Sequence, residues 1–130
     1  MQHVPVVLIL EDNHLSRLVF RELLERTGYQ VVDVDNEWDA VTVCGSTEMK
    51  IDLLVSDVIH SGGNGTDVAE RLLRLRPGLP ILFVSGFGLV DLVNSGLLDS
   101  DRLSTRVSFL QKPFSAKLFL DDVQQLISPS

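Results

Sequence analysis

The sequence holds a single cysteine, Cys44, so no internal disulfide can form. Cys44 sits among apolar residues of a predicted helix, where a small buried side chain is a simpler reading than a reactive thiol. Such cysteine usage suits a reducing, cytoplasmic compartment. Positive charge is scarce as well. Against 18 Asp and Glu stand 11 Lys and Arg, for a formal charge of −7, and no basic run exceeds two residues. A phosphate backbone would be repelled, which argues against direct nucleic-acid binding. Long hydrophobic runs are missing too. The apolar stretch at Val6 stops after five residues and has no basic flank, which excludes a signal peptide and a membrane span. No repeat or low-complexity segment is found. What is present is 130 residues, 45% of them hydrophobic, enough for one domain over residues 1–130. A chain of that size buries roughly two thirds of its unfolded surface around one core.

Runs rich in Val, Ile and Leu recur at Val6–Leu10, Gln30–Val34, Ile51–Ser56, Pro80–Val84 and Val107–Gln111. Several are apolar at consecutive positions, as parallel strands covered on both faces must be. Stretches of helical period separate them. Leu15–Thr27 ends at Gly28, Glu37–Cys44 at Gly45, and Asp67–Arg76 before Pro77, while Leu89–Leu97 and Ala116–Ile127 complete five strand and helix pairs. In the last of these Ala116, Phe119, Leu120, Val123 and Ile127 form one apolar stripe. Alternating β and α units imply right-handed crossovers and a doubly wound α/β sheet, whose ligands bind outside the carboxyl ends of the strands.

On that scaffold the polar residues gather at one rim. Glu11 and Asp12 end the first strand, Asp57 the third, Ser85 the fourth and Lys112 the fifth. Any one of them alone could be a helix cap or a wet strand end. Together, three converging carboxylates destabilise one another unless a cation sits among them, and an all-oxygen donor set suits Mg²⁺ better than zinc. A carboxylate beside a divalent ion can attack a phosphoryl group, because the metal screens the repulsion between the anions. Asp57 is the candidate nucleophile. Ser85 and Lys112 supply the hydroxyl and ammonium that would bind the remaining phosphoryl oxygens.

With these residues in place, the chain resembles the receiver domain of two-component response regulators over essentially its whole length. The matching motifs are LILED for the acid pair, LLVSDVI for the acceptor, ILFVSGF for the hydroxyl and FLQKPF for the lysine. The resemblance implies a flavodoxin-like sheet of five parallel strands in the order 2-1-3-4-5 with five helices. It also implies phosphoryl transfer to Asp57 from a phosphohistidine on a sensor histidine kinase or a histidine phosphotransfer protein. Members of this family promote their own phosphorylation and dephosphorylation without being conventional enzymes, and a receiver dimer is a further arrangement that the family adopts. Metal coordination is implied for Asp12 and Asp57, for Glu11 through water, and for Ile59 through its backbone carbonyl. Phe109 matches the family's switching aromatic, although a core phenylalanine is the alternative, and the Lys112–Pro113 peptide is expected to be cis. Within the family, the segment from Val55 to Phe87 most resembles receivers of hybrid sensor histidine kinases, with a Gly-Gly insertion and a Ser-Gly-aromatic run. Ser61 and Asn64 depart from the usual proline and aspartate, and the chain is a few residues long around Ser100–Arg106.

Other features read more simply. SGGNGTD follows a strand and opens a helix, but it has no Lys before Thr66 and has Val68 where a dinucleotide fingerprint needs glycine, so a turn suffices. His14 and His60 flank the site without a second ligand at metal spacing and read as solvated loop residues. Arg71, Arg74 and Arg76 read as a solvated face with a few ion pairs, and Trp38 as a side chain packed at a helix edge. Three other functions compete. A haloacid-dehalogenase-type phosphatase needs an Asp two residues after its nucleophile, where Ile59 stands. A flavin or nucleotide module needs an anion-binding loop where Glu11 and Asp12 would repel phosphate. A non-phosphorylated interaction module would have lost one of the five rim residues, and all five are here.

Overall fold

A computed structural model describes residues 3–60 and 63–128. The order of elements is β1 (Val6–Leu10), α1 (His14–Arg26), β2 (Gln30–Val34), α2 (Glu37–Gly45), β3 (Leu53–Asp57), β4 (Ile59–His60), β5 (Gly63–Asn64), α3 (Gly65–Leu75), β6 (Ile81–Ser85), α4 (Leu89–Asn94), β7 (Val107–Gln111) and α5 (Ala116–Ile127). Five parallel strands form one sheet in the order β2-β1-β3-β6-β7, which is 2-1-3-4-5 counted within that sheet.

The strand sequences explain why both faces are covered. Along β1, Leu8 and Leu10 join one apolar cluster and Val7 and Ile9 the other, as side chains on alternate faces must. The same division places Leu54, Ile81 and Phe83 with Val68, Ala69 and Leu72 of α3, and Leu53, Val55, Leu82 and Val84 with Phe20, Leu24, Phe119 and Val123 of α1 and α5. Each such fully buried Val, Leu, Ile or Phe side chain contributes about 1.5–3 kcal/mol relative to exposure. Phe20, Phe114 and Phe119 stack in the second cluster with centroids 5.1–5.8 Å apart. Four helices start on a side chain that accepts from a backbone N–H of the first turn: Asn13 for α1, Asn36 for α2, Asn64 for α3 and Ser115 for α5. The six-residue α4 starts on Gly88 without such a cap.

Several expectations need correction. The third and fourth strands of the sheet begin later and end one residue further on than their apolar runs suggest, so Asp57 and Ser85 are strand residues and not the first residues beyond. Ile59–His60 and Gly63–Asn64 pair as a small antiparallel hairpin within the stretch read as a turn; Ser61 and Gly62 lie outside the described residues. Trp38 is 79% exposed instead of packed. The buried residues of α2 are Ala40 and Cys44, and a residue two before Ala40 is rotated by about 200° around the helix, away from the sheet. On α5 Phe119 and Val123 are buried, joined by Leu126, and Leu120 and Ile127 pack against the same cluster, so of the expected stripe only Ala116, at the helix start, is exposed. Cys44 is buried as expected. The extra segment forms a 3-10 turn at Ser100–Arg102, anchored by the buried Leu103 and by ion pairs from Arg102 to Asp67 and Glu70 on α3.

Candidate functional site

The register of the sheet brings the rim residues together. Leu10 lies beside Ser56, Asp57 beside Val84, and Ser85 beside Gln111, so the next residues along β1 and β7, Glu11 and Lys112, emerge on either side of Asp57. The Lys112 N–H donates to the Ser85 carbonyl at 2.7 Å, and the Lys112–Pro113 peptide is cis as expected. The ammonium stands 2.9 Å from Glu11 Oε1 and 3.5 Å from Asp57 Oδ2. Carboxylate oxygens of Glu11, Asp12 and Asp57 all lie within 4.8 Å of one another. Glu11 is 1% exposed, and its second oxygen accepts the Asn13 N–H at 3.1 Å. The Ile59 N–H donates to Asp57 Oδ1 at 3.3 Å. Ser85 is also buried, and its hydroxyl accepts the Phe87 N–H at 3.1 Å.

Burial pushes the Glu11 carboxyl above its ordinary range, and the hydrogen bonds from Lys112 and Asn13 offset this only in part. For Lys112 burial works against the charge, yet the hydrogen bond to Glu11 and the field of Glu11 and Asp57 prevail, so the ammonium holds its proton more tightly than a free lysine. The donor set fits a hard divalent cation: three carboxylates and no thiolate or imidazole among the clustered groups, with Asp12 exposed and Asp57 part-exposed, leaving room for water.

The response regulator receiver domain model matches residues 7–124. The chain belongs to that family. The response regulator receiver protein CpdR of Brucella abortus (strain 2308) is 28% identical over 121 residues, covering 93% of this chain and 95% of CpdR. The sensor kinase CckA of the same organism is 26% identical over 121 residues, 93% of this chain but 12% of CckA. Among solved structures, the receiver domain from the hybrid histidine kinase CckA superposes with a TM-score of 0.76 at 27% identity, covering 95% of this chain and 99% of that one. A CheY-like receiver from Methanospirillum hungatei JF-1 has a TM-score of 0.81 at 20% identity over 96% and 94% of the two chains, a likeness of fold.

This receiver differs from the sequence reading at two residues near the site. His60 is half-buried in the small hairpin, with Nε2 3.1 Å from the Ser56 hydroxyl, which itself donates to the Asp57 carbonyl at 3.0 Å. Burial holds its imidazole below the usual histidine range despite Asp12, Glu11 and Glu37 nearby. The hairpin pairing, invisible in a turn-like sequence, is what turns it inward. His14 is exposed as expected, and its Nδ1 lies 3.2 Å from Arg17. Arg17 itself drew no attention in the sequence, where an arginine within an amphipathic helix carries no signal; in the fold it bonds the Glu11 carbonyl. Phe109 pairs with Phe83 in the sheet and packs, half-buried, against the cluster shared with α3 and α4. A groove of about 330 Å³ opens between α1 and the Lys112–Phe114 loop, and Leu15, Val19, Lys112 and Pro113 line it.

Proposed function

We propose that this receiver is a phosphorylatable switch in a two-component phosphorelay, in which Asp57 takes the phosphoryl group of a phosphohistidine. The observation that carries the reading is the convergence of Glu11, Asp12 and Asp57 within 4.8 Å, with Lys112 on the same Asp57 carboxylate. An Asp57 oxygen would form the new P–O bond as the P–N bond to the donor imidazole breaks, and the nitrogen keeps the electron pair. Asp12 and Asp57, with Glu11 through water and the Ile59 carbonyl, would hold Mg²⁺. Once bound, the metal would screen the approaching anions and neutralise charge on the phosphoryl oxygens. Lys112 would pair with one of those oxygens. The Ser85 hydroxyl already accepts from Phe87 N–H, so its own proton remains available to donate to another oxygen. Movement of Ser85 toward the phosphoryl group would free space beside Phe109 and so reach α4 as a population shift.

The partner would be a sensor histidine kinase or a histidine phosphotransfer protein in the cytoplasm. Leu15, Leu18 and Val19 are 71%, 50% and 53% exposed on α1 beside the acceptor, an apolar strip suited to a helix that delivers the phosphohistidine. Among the described residues no helix is long and apolar enough to cross a membrane. Incubation with acetyl phosphate and Mg²⁺ should add one phosphoryl mass to the intact protein, and beryllofluoride should shift its amide spectrum. Asp57→Asn should abolish both responses; equal labelling of that variant would overturn the assignment.

A further inference from the structure

The exposed Asp12 carboxylate has no hydrogen-bond partner among the described residues, so its place in the acid cluster depends on the backbone that carries it. Two groups fix that backbone. On one side of Glu11, its N–H donates to the Val34 carbonyl of β2 at 3.1 Å. On the other, its carbonyl, which belongs to the peptide joining Glu11 to Asp12, accepts from Arg17 Nη1 at 2.9 Å. Arg17 reaches back from α1 to make that bond. Its Nε donates to Asp33 Oδ2 at 3.2 Å, and Asp33 is held in turn by a second ion pair with Arg21. The Arg17 side chain is 16% exposed, well below the 38% of Arg21 on the next turn.

We propose that Arg17 is a positioning residue for the acid pair: anchored by Asp33, its guanidinium clamps the Glu11–Asp12 peptide and sets the direction in which Asp12 leaves the backbone. The inference rests on the reading of Glu11, Asp12 and Asp57 as a Mg²⁺ site. The guanidinium suits this task because its planar fork can bond a carbonyl and a carboxylate at once, which an ammonium on a single flexible stem does poorly. Asp33 serves as its counterion.

The sign of the effect separates positioning from simple electrostatics. Removal of a cation bonded to the Glu11 backbone would by charge alone favour Mg²⁺ binding at the neighbouring carboxylates. Loss of the clamp lets the acid pair wander and weakens it. Mg²⁺ should therefore be titrated into the full chain, its Arg17→Met variant and its Arg17→Lys variant, followed by amide shifts of Asp12 and Asn13. We expect the dissociation constant to rise about tenfold in Arg17→Met and by a smaller factor in Arg17→Lys, which keeps the charge but not the fork. In the metal-free protein the Asn13 amide, bonded to Glu11 Oε2, should also exchange with solvent faster in Arg17→Met. Tighter or unchanged Mg²⁺ binding in Arg17→Met overturns the proposal, and if that variant does not fold, parent-like affinity in Arg17→Lys does so. Failure of the parent itself to bind Mg²⁺ at these carboxylates overturns the metal reading instead.

Discussion

Replacement of Lys112 by Met tests how strongly the site's charges depend on one another. The ammonium lies 2.9 Å from Glu11 Oε1 and 3.5 Å from Asp57 Oδ2. At an effective dielectric constant of about 20 these separations correspond to attractions of about 6 and 5 kcal/mol before desolvation. Neither survives in full, because the Lys112 side chain is 27% exposed and must give up hydration to pair. A firmer bound comes from Glu11. Left buried without its cation, it can shed the cost by taking up a proton, and at pH 7 that costs about 3.4 kcal/mol from the ordinary value of 4.5. The expected loss of stability in Lys112→Met is thus about 2–3 kcal/mol at pH 7 without metal.

The sign with pH follows. In Lys112→Met the folded-state pKa of Glu11 rises further above its unfolded value, so the variant comes closest to the parent below about pH 4.5, and its deficit grows as the pH rises. At pH 5 the bound falls to about 0.7 kcal/mol. Glu11→Gln should cost only about 1 kcal/mol, since Lys112 keeps Asp57 and solvent, and the double variant should cost less than Lys112→Met alone, with a coupling of about 2 kcal/mol. Urea denaturation in EDTA at pH 5 and pH 7 measures all three variants. A Lys112→Met deficit that does not shrink with falling pH, or losses that simply add, would refute the idea of a buried carboxylate held charged by this lysine.

Gly65→Ala should destabilise the fold by about 2–3 kcal/mol in the same assay, because a Cβ there would stand 2.5 Å from the Asp57 carbonyl oxygen and 2.8 Å from Val58 Cα, both backbone atoms that cannot turn aside. A loss under about 0.5 kcal/mol would mean that the chain after the acceptor gives way easily. Ile59→Asn should shorten the life of the Asp57 phosphate, since Ile59 and Phe87, though exposed, are apolar and offer an attacking water no hydrogen bond, where an amide would orient one. Decay of the parent as fast as that variant, followed by intact mass over time, would rule out protection by these side chains.

Much of this molecule could be read from its sequence because its signals were local and redundant. The bounds of β1, β2, β7 and α5 agree with the apolar patterns that predict them. The rim residues were legible because parallel strands of equal length deliver their ends to one edge. What escaped was decided by contacts between segments distant in sequence or by pairings too short to leave a pattern. The hairpin at Ile59–Asn64 has two residues per strand, too few for an alternation to show, and only that pairing carries His60 inward to Ser56. Arg17 became visible only when α1 was laid against β2, bringing Asp33 within reach. Trp38 shows the reverse error, a large apolar side chain assumed to be covered when the helix phase set by Ala40 and Cys44 turns it to solvent.

The charge balance of the rim explains why its parts belong together. With Glu11, Asp12 and Asp57 ionised and Lys112 protonated, the cluster carries a net charge of about −2, which a bound divalent cation would cancel. Without that cation an incoming phosphoryl group would meet a repulsive site, however well Asp57 is aimed. With it, phosphorylation of Asp57 would restore an excess of negative charge there, since a phosphoryl group carries about −1.5 to −2 near neutral pH. Two groups on the rim can answer that excess without another ion. Lys112 is already within 3.5 Å of Asp57 but shared with Glu11, so new charge on Asp57 would compete for it. Ser85 is 1% exposed; its hydroxyl proton is free to reach a phosphoryl oxygen, and a shift of Ser85 toward that oxygen would pull on its bond from Phe87 N–H. That bond anchors the loop leading to α4, which lacks a side-chain cap and is the shortest of the five helices. New charge on Asp57 would therefore act, through Ser85, on the loop that leads to the one helix of the five that is both shortest and without a side-chain cap, where a small electrostatic change would most readily become a change of shape.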